Sequence, residues 1–180
     1  MLYTGMGDDG KTKLFGCDQQ RISKSSEIPE ALGALDELNA LLGVAKMRAS
    51  DERIAGALRE AQEALFIIQA QTAGADKRLA TDARALLETE IARIEAEIPP
   101  VSGFSIAGGT ELSALLDYAR AVARRAERRV VAARDILDKS DLSKVSDETL
   151  AYLNRLSSLL FALARLANHH AGVAEESPRY

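Results

Sequence analysis

The sequence predicts an all-α fold, a five-helix bundle behind a glycine-rich N-terminal loop, and three observations support this. Apolar residues make up 47% of the 180-residue chain, but aromatics only 4%, and tryptophan is absent. The core is therefore aliphatic and suited to helices packed on helices. Five segments repeat apolar residues at helical spacing, with recognisable stop signals between them. Finally, no strand-like alternation of useful length appears, and there is no internal repeat or low-complexity tract.

The first helix is predicted from about Pro29, a good first-turn residue, to Arg48, with Leu32, Leu35, Leu38 and Leu42 on one side. The second starts near Asp51, turns Ile54, Leu58, Ala61, Leu65 and Ile68 inward and frays near Gly74. The third begins at Thr81 or Asp82, places Leu86, Leu87, Ile91 and Ile94 on its face and stops at Pro99-Pro100. A shaped connector, Val101 to Gly109, precedes a Thr110 N-cap and a long, arginine-rich fourth helix from Glu111 to about Leu137. A polar linker, Asp138 to Val145, then leads to a Ser146-capped fifth helix ending before Gly172. Residues 1–26 read as an N-terminal loop region, 27–173 as the bundle and 174–180 as a tail, together one domain.

A net charge of −4 argues against a general nucleic-acid or anionic-membrane surface, so any polyanion must meet a local basic cluster. The lone Cys17 forms no internal disulfide and builds no thiolate metal site, which fits a reducing, cytoplasmic setting. The longest apolar run, Leu159 to Ala164, is too short to span a bilayer.

The opening stretch TGMGDDGKT satisfies both G-x-x-x-x-G-K-S/T and G-x-G-x-x-G. Both patterns require a strand before the loop and a helix after it, and neither is available here. What remains is physical: glycines expose backbone N–H groups, Thr4 and Thr12 offer hydroxyls, and Lys11, Lys13 and Lys24 supply charge for a polyphosphate. The segment is expected to order over a triphosphate.

Within the helices, polar residues interrupt faces that could be wholly apolar. Arg120, Arg124 and Glu127 share one margin of the fourth helix's stripe, while Arg125 and Arg129 lie near the other. Asn39 sits inside the first helix's stripe with Asp36 beside it, and a buried carboxylate there would need a partner such as Arg120, within the chain or across a subunit boundary. Asn154, Phe161 and Arg165 align on the fifth helix. His169 and His170 read as a helix C-terminal feature, and no Glu-x-x-His pair marks a di-metal bundle.

TGMGDDGKT, RISK, LGALDELNALLG, FSIAGG, ARAVARRAERRVV and YLNRLSSLLFALARLAN together resemble, in order and over nearly the whole chain, the PduO-type ATP:cob(I)alamin adenosyltransferases. The resemblance implies a homotrimer of five-helix bundles with ATP and the corrinoid bound between subunits. It implies that Thr4, Gly5, Met6, Gly7, Asp8, Gly10, Thr12 and Lys13 form the ATP loop, with Lys24 on the phosphates. Arg124, Arg125, Glu127, Arg128 and Asn154 would complete the nucleotide site, Glu127 acting with Mg²⁺. Asp36 and Arg120 would form an intersubunit pair, and Phe104 and Phe161 the apolar wall beneath the corrin ring. A cob(II)alamin reductase and a B12-dependent enzyme are the implied partners, with no nucleic acid and no membrane. The chain departs from the family pattern at Ala107, Asp117, Ser158 and Gly5-Met6. A non-catalytic module that delivers adenosylcobalamin or senses ATP, and a phosphohydrolase using the loop, are the competing readings.

Overall fold

The computed structural model describes residues 3–15, 21–137 and 144–179. Cys17 and the greater part of the 138–145 linker lie outside the described residues. The chain forms two short strands, β1 (Lys11–Lys13) and β2 (Arg21–Ser23), and five helices. These are α1 (Glu27–Arg48), α2 (Glu52–Thr72), α3 (Ala83–Glu97), α4 (Glu111–Asp135) and α5 (Asp147–His170).

The helices begin where capping chemistry places them. Asp51 accepts from the Arg53 and Ile54 amides at 2.7 and 3.4 Å, Thr110 from Ser113 at 3.1 Å, and Ser146 from Thr149 at 3.2 Å. Each side chain satisfies donors that the first turn leaves without a partner. α4 stops at Asp135, slightly short of the expected end.

α1 packs on α2 and α4, α4 on α5, and α5 on α3. The core joins Leu35, Leu38 and Leu42 of α1 to Leu58, Leu65 and Ile68 of α2 and to Leu153, Leu156, Leu160 and Leu163 of α5. Between α1 and α5, α4 contributes mostly small side chains, Ala119, Ala123, Ala126 and Ala133, all fully buried. Removing these aliphatic surfaces from water drives the assembly.

Two expectations are corrected. Leu86 is 57% exposed, and only Leu87 and Ile94 of α3 are buried. α3 packs mainly on α5, so its inward stripe is narrower than the spacing suggests. The N-terminal region also contains a two-stranded antiparallel ribbon, with Thr12 opposite Ile22. Strands of three residues are too short to leave a periodic signal.

At the far end of the bundle, the His170 ring faces Asp51 through Nδ1 at 3.0 Å and Glu97 through Nε2 at 2.6 Å. Arg53 joins Glu97 to Glu90, both at 2.6 Å, so the ends of α2, α3 and α5 are tied together. His170, and after it Arg53, hold the Glu97 carboxyl below its ordinary value of 4.5.

Two outcomes follow from this packing. Ala123→Leu forces an isobutyl group into the α1–α4–α5 seam and should cost about 1–3 kcal/mol. In a thermal melt followed by circular dichroism this should lower Tm by about 2–4 °C per kcal/mol, whereas an unchanged Tm would show slack in the seam. Because Glu97 has a depressed folded pKa, its stabilisation is complete above the ordinary carboxylate range and is lost as pH falls through the folded value. Glu97→Gln should therefore weaken the acid limb of the stability profile, which denaturant titrations at successive pH values would detect.

Candidate functional site

The N-terminal loop owes its shape to two cations that the loop wraps. Gly5 (φ +68°) and Gly10 (φ +77°) take the left-handed conformations that turn the chain. The Arg21 guanidinium donates to Asp9 Oδ2 at 2.9 Å, to Asp9 Oδ1 at 2.7 Å, to the Lys11 carbonyl at 2.9 Å and to the Met6 carbonyl. Lys24 Nζ donates to the Gly7 carbonyl at 2.8 Å. A Cβ at Gly7 would stand 2.9 Å from that nitrogen, so glycine permits the close approach. Arg21, and after it the Lys11 amide, hold the Asp9 carboxyl below its ordinary range. Asp9 is thus committed to the loop's own structure, while the side chains of Asp8 and Lys13 make no ion pair among the described residues.

The loop lies against the start of α1 and the end of α2, around a hollow of about 360 Å³ lined by Thr12, Lys13, Lys24, Pro29, Leu32 and Ala73. Leu32 and Ala73 also border a second hollow of about 480 Å³ that contains Asp36 and Phe66. Phe66 is 69% exposed there.

The opposite side of the bundle carries the arginine-rich face. Consecutive helical residues point about 100° apart, so the basic block divides between the two margins of α4. Arg125 pairs with Glu37, and Arg129 with Glu30 at 3.7 Å, both on α1. Arg124 and Arg128 are exposed and have no ion pair among the described residues. Between α4 and α5, Glu127 Oε1 accepts from Asn154 Nδ2 at 3.1 Å. Asn154 Oδ1 in turn accepts from Arg155, whose Nε meets Glu88 at 3.0 Å.

Arg124 also borders a cleft of about 690 Å³ among α3, α4, α5 and the connector, together with Arg120, Phe104 and Phe161. Arg120 stands over the Phe161 ring, 5.8 Å from its centroid, within cation–π range. Phe104 is 80% exposed at the rim. The cleft therefore combines an aromatic, largely apolar wall with three guanidinium groups, those of Arg120, Arg124 and Arg165.

The structure thus brings together Arg120, Arg124, Phe104 and Phe161 around the cleft, and Glu127 with Asn154 beside it. Thr4 to Lys13 and Lys24 assemble separately, as the loop. Arg125 is directed towards α1, away from Arg124. Asp36 and Arg120 do not meet within the chain, which corrects the expectation of a buried carboxylate on α1. Asp36 is exposed on the α2 margin, and Arg120 Nε is held by Asp117 at 3.3 Å on the α5 margin. Asn39 is buried as expected; its backbone carbonyl accepts from Gln62 at 3.0 Å, while its side-chain Oδ1 has no hydrogen-bond partner among the described residues. Sequence reasoning gave no role to Arg21, Asp117 or Asn168. The first stood in the quoted RISK block, and the last stood out only as an amide among aliphatic residues of α5.

The chain is thus a helical bundle with a glycine-rich, lysine-bearing loop on one side and an arginine-lined aromatic cleft on the other. Residues 2–167 match the family model for cobalamin adenosyltransferase, and the chain belongs to that family. It is 37% identical over 182 residues to a corrinoid adenosyltransferase of Bacillus subtilis, covering 97% of this chain and 90% of that protein. It is 38% identical over 177 residues to the corrinoid adenosyltransferase PduO of Citrobacter freundii, covering 94% of this chain but only 50% of that protein. Among solved structures, a variant PduO-type ATP:corrinoid adenosyltransferase from Lactobacillus reuteri, complexed with cobalamin and ATP, superposes with a TM-score of 0.90 at 29% identity. That alignment covers 99% of this chain and 97% of the other.

Arg21 makes the loop's charged hydrogen bonds, so Arg21→Ala should speed amide exchange at Lys11–Lys13 and Lys24 by roughly tenfold or more, leaving the helices unchanged. Hydrogen exchange read by mass spectrometry checks this, and unchanged loop rates would remove Arg21 as the organiser.

Proposed function

We propose that this chain transfers the 5′-deoxyadenosyl group of ATP to the cobalt of cob(I)alamin, forming adenosylcobalamin and releasing triphosphate. One observation carries this reading: Arg124, which has no ion pair among the described residues, lines the aromatic cleft and lies one helical turn from Glu127, which bonds Asn154 across α4 and α5, so a flat ring and a phosphate chain would meet beside it. Cobalt(I) supplies the electron pair that forms the Co–C5′ bond, and the C5′–O bond breaks with its pair leaving on the triphosphate. No proton is abstracted, so no general base is needed. The protein's task is to position two reactants, exclude water and stabilise the departing anion. Arg124 and Arg128 would supply positive charge on the α4 side, and Lys13 and Lys24 would supply donors on the loop side, where the Met6, Asp8 and Gly10 amides are already used within the loop. Phe104 and Phe161 would hold the corrin face and exclude a lower axial ligand, leaving cobalt four-coordinate and easier to reduce.

The complete site needs a second copy of the chain. The Arg129–Glu30 pair puts the second half of α4 at the same end of the bundle as the loop. The loop, however, lies on the α1–α2 side, whereas the cleft lies among α3, α4 and α5. In a homotrimer the loop of one subunit would cover the α4–α5 groove of the next, and Asp36 would approach Arg120 of a neighbour. Among the described residues there is no cluster of three or more His, Cys, Asp or Glu side chains that could hold a metal. Glu127, whose Oε1 alone is engaged by Asn154, fits a Mg²⁺ ion shared with the phosphates, because Mg²⁺ commonly takes one or two carboxylates plus substrate oxygens. Bound there, Mg²⁺ would neutralise charge on the leaving triphosphate.

Among the described residues no helix is long and apolar enough to cross a membrane. The cytoplasm is the proposed setting, with a cob(II)alamin reductase upstream and a B12-dependent enzyme downstream.

The deciding experiment incubates the protein with ATP, Mg²⁺ and chemically reduced cobalamin, follows the corrinoid spectrum and identifies the phosphate product. Adenosylcobalamin with triphosphate is expected. Binding without turnover would indicate a carrier, and orthophosphate without corrinoid a hydrolase. Arg124→Ala should cost about 2–4 kcal/mol of transition-state stabilisation, read as kcat/KM for ATP. Near-normal turnover would remove the role assigned to Arg124.

A further inference from the structure

Phe104 is 80% exposed, so its own packing does not fix its position at the cleft rim. Four residues further on, however, the connector is gripped from both sides. The Gly108 carbonyl accepts from Asn168 Nδ2 at 2.9 Å and from Ser113 Oγ at 3.0 Å. The Gly108 amide donates to Asp117 Oδ2 at 3.4 Å. Asn168 Oδ1 accepts from the Thr110 amide at 3.0 Å, so a single side chain bridges the last turn of the connector and the start of α4.

Asn168 is only 5% exposed, in a stretch of α5 where Leu163, Ala164, Leu166 and Ala167 are buried and apolar. An amide at that depth is costly unless its donors and acceptor are used, and here both ends are used on the connector. The glycine at 109 follows from the same contact. Gly109 has φ +104°, and a Cβ there would lie 2.4 Å from Asn168 Oδ1, so only glycine lets the backbone approach this closely.

Asp117 carries the grip across to the other aromatic wall. Its side chain is 12% exposed, and while Oδ2 holds Gly108, Oδ1 accepts from Arg120 Nε at 3.3 Å. Arg120 is the cation that stands over Phe161. The connector that bears Phe104 and the arginine that covers Phe161 are therefore tied to one carboxylate.

We propose that Asn168 and Asp117 are positioning residues for the corrinoid: acting through Gly108 and Arg120, they set the placement of the Phe104 wall relative to the Phe161 wall. Neither residue needs to touch a substrate. The proposal rests on the reading that the cleft receives the corrinoid, and it assigns a part of that site which the nucleotide does not use.

The test compares wild type, Asn168→Ala and Asp117→Asn in the adenosyl-transfer assay, measuring KM separately for cob(I)alamin and ATP, with Tm recorded for each. Asn168→Ala removes both connector bonds and should raise the corrinoid KM roughly tenfold to hundredfold, as a small misplacement of a binding wall does. Its ATP KM should stay within about twofold. Asp117→Asn keeps an acceptor for Gly108 but removes the charge facing Arg120, and should give a smaller rise confined to the corrinoid. If Asn168→Ala does not fold, Asp117→Asn alone decides. A corrinoid KM within about twofold of wild type in the folded variants, or equal rises for both substrates, would overturn the proposal. A wild-type protein without transfer would instead overturn the reading on which it rests, so the two failures are distinguishable.

Discussion

The arrangement depends on the small side chains along the buried face of α4. Ala119, Ala123, Ala126 and Ala133 present only methyl groups, so α1 and α5 can both pack closely against the same helix. A helix packed on two sides keeps two polar margins, one along each neighbour. Every charged residue of α4 discussed here occupies one of them or the outward face between. The α1 margin is used for ion pairs, Arg125 with Glu37 and Arg129 with Glu30. The α5 margin carries Arg120, Arg124 and Glu127, directed into the cleft and groove. Substitutions that widen the alanine seam would therefore move the two walls of the site as well as weaken the core.

Helix positions were legible because the signals are local. Asp51, Thr110 and Ser146 cap where their side chains accept from the second or third amide onward, and the Leu and Ala stripes of α1, α2, α4 and α5 largely bury as their spacing requires, although Leu32 stays half-buried beside the loop. What was not legible depends on the neighbour. Glu37 and Asp36 are adjacent in sequence but point to different margins, one towards α4 and the other towards α2. Periodicity places both beside the stripe, but it cannot say which helix each will meet. Leu86 illustrates the same limit on a helix with a narrow contact face. Asp117 stood out only as a departure from the family pattern and Asn168 received no role, because the partners that give them a task include backbone groups of a loop, and a backbone partner leaves no mark in residue identity.

The loop shows how a glycine-rich segment can be shaped without a strand before it and a helix directly after it. In a P-loop the preceding strand and following helix fix the turn. Here a three-residue ribbon would be marginal by itself, and Arg21 gathers the Met6 and Lys11 carbonyls together with the Asp9 carboxylate. Carbonyls drawn towards Arg21 and Lys24 are not presented to an incoming anion, which would otherwise be repelled. Asp8 and Asp9 also part ways: the Asp9 carboxylate is neutralised inside the loop, and that of Asp8 makes no ion pair among the described residues.

Arg120 is the point at which the chain's own geometry meets the proposed assembly. A guanidinium has five donors in a rigid fork. Asp117 engages Nε, while the carbon centre of the group stands over Phe161. The two terminal nitrogens therefore remain for a second carboxylate, and Asp36 of a neighbouring subunit is exposed on the side that carries the loop. The two carboxylates do not compete: Asp117 orients the fork from within the helix, and the neighbour would receive it already aimed. Much of the side-chain ordering that such a pair requires is then completed on folding, before the subunits meet. A lysine at this position has three donors on one rotating ammonium, and so lacks the rigid planar fork that would hold the two carboxylates at fixed angles.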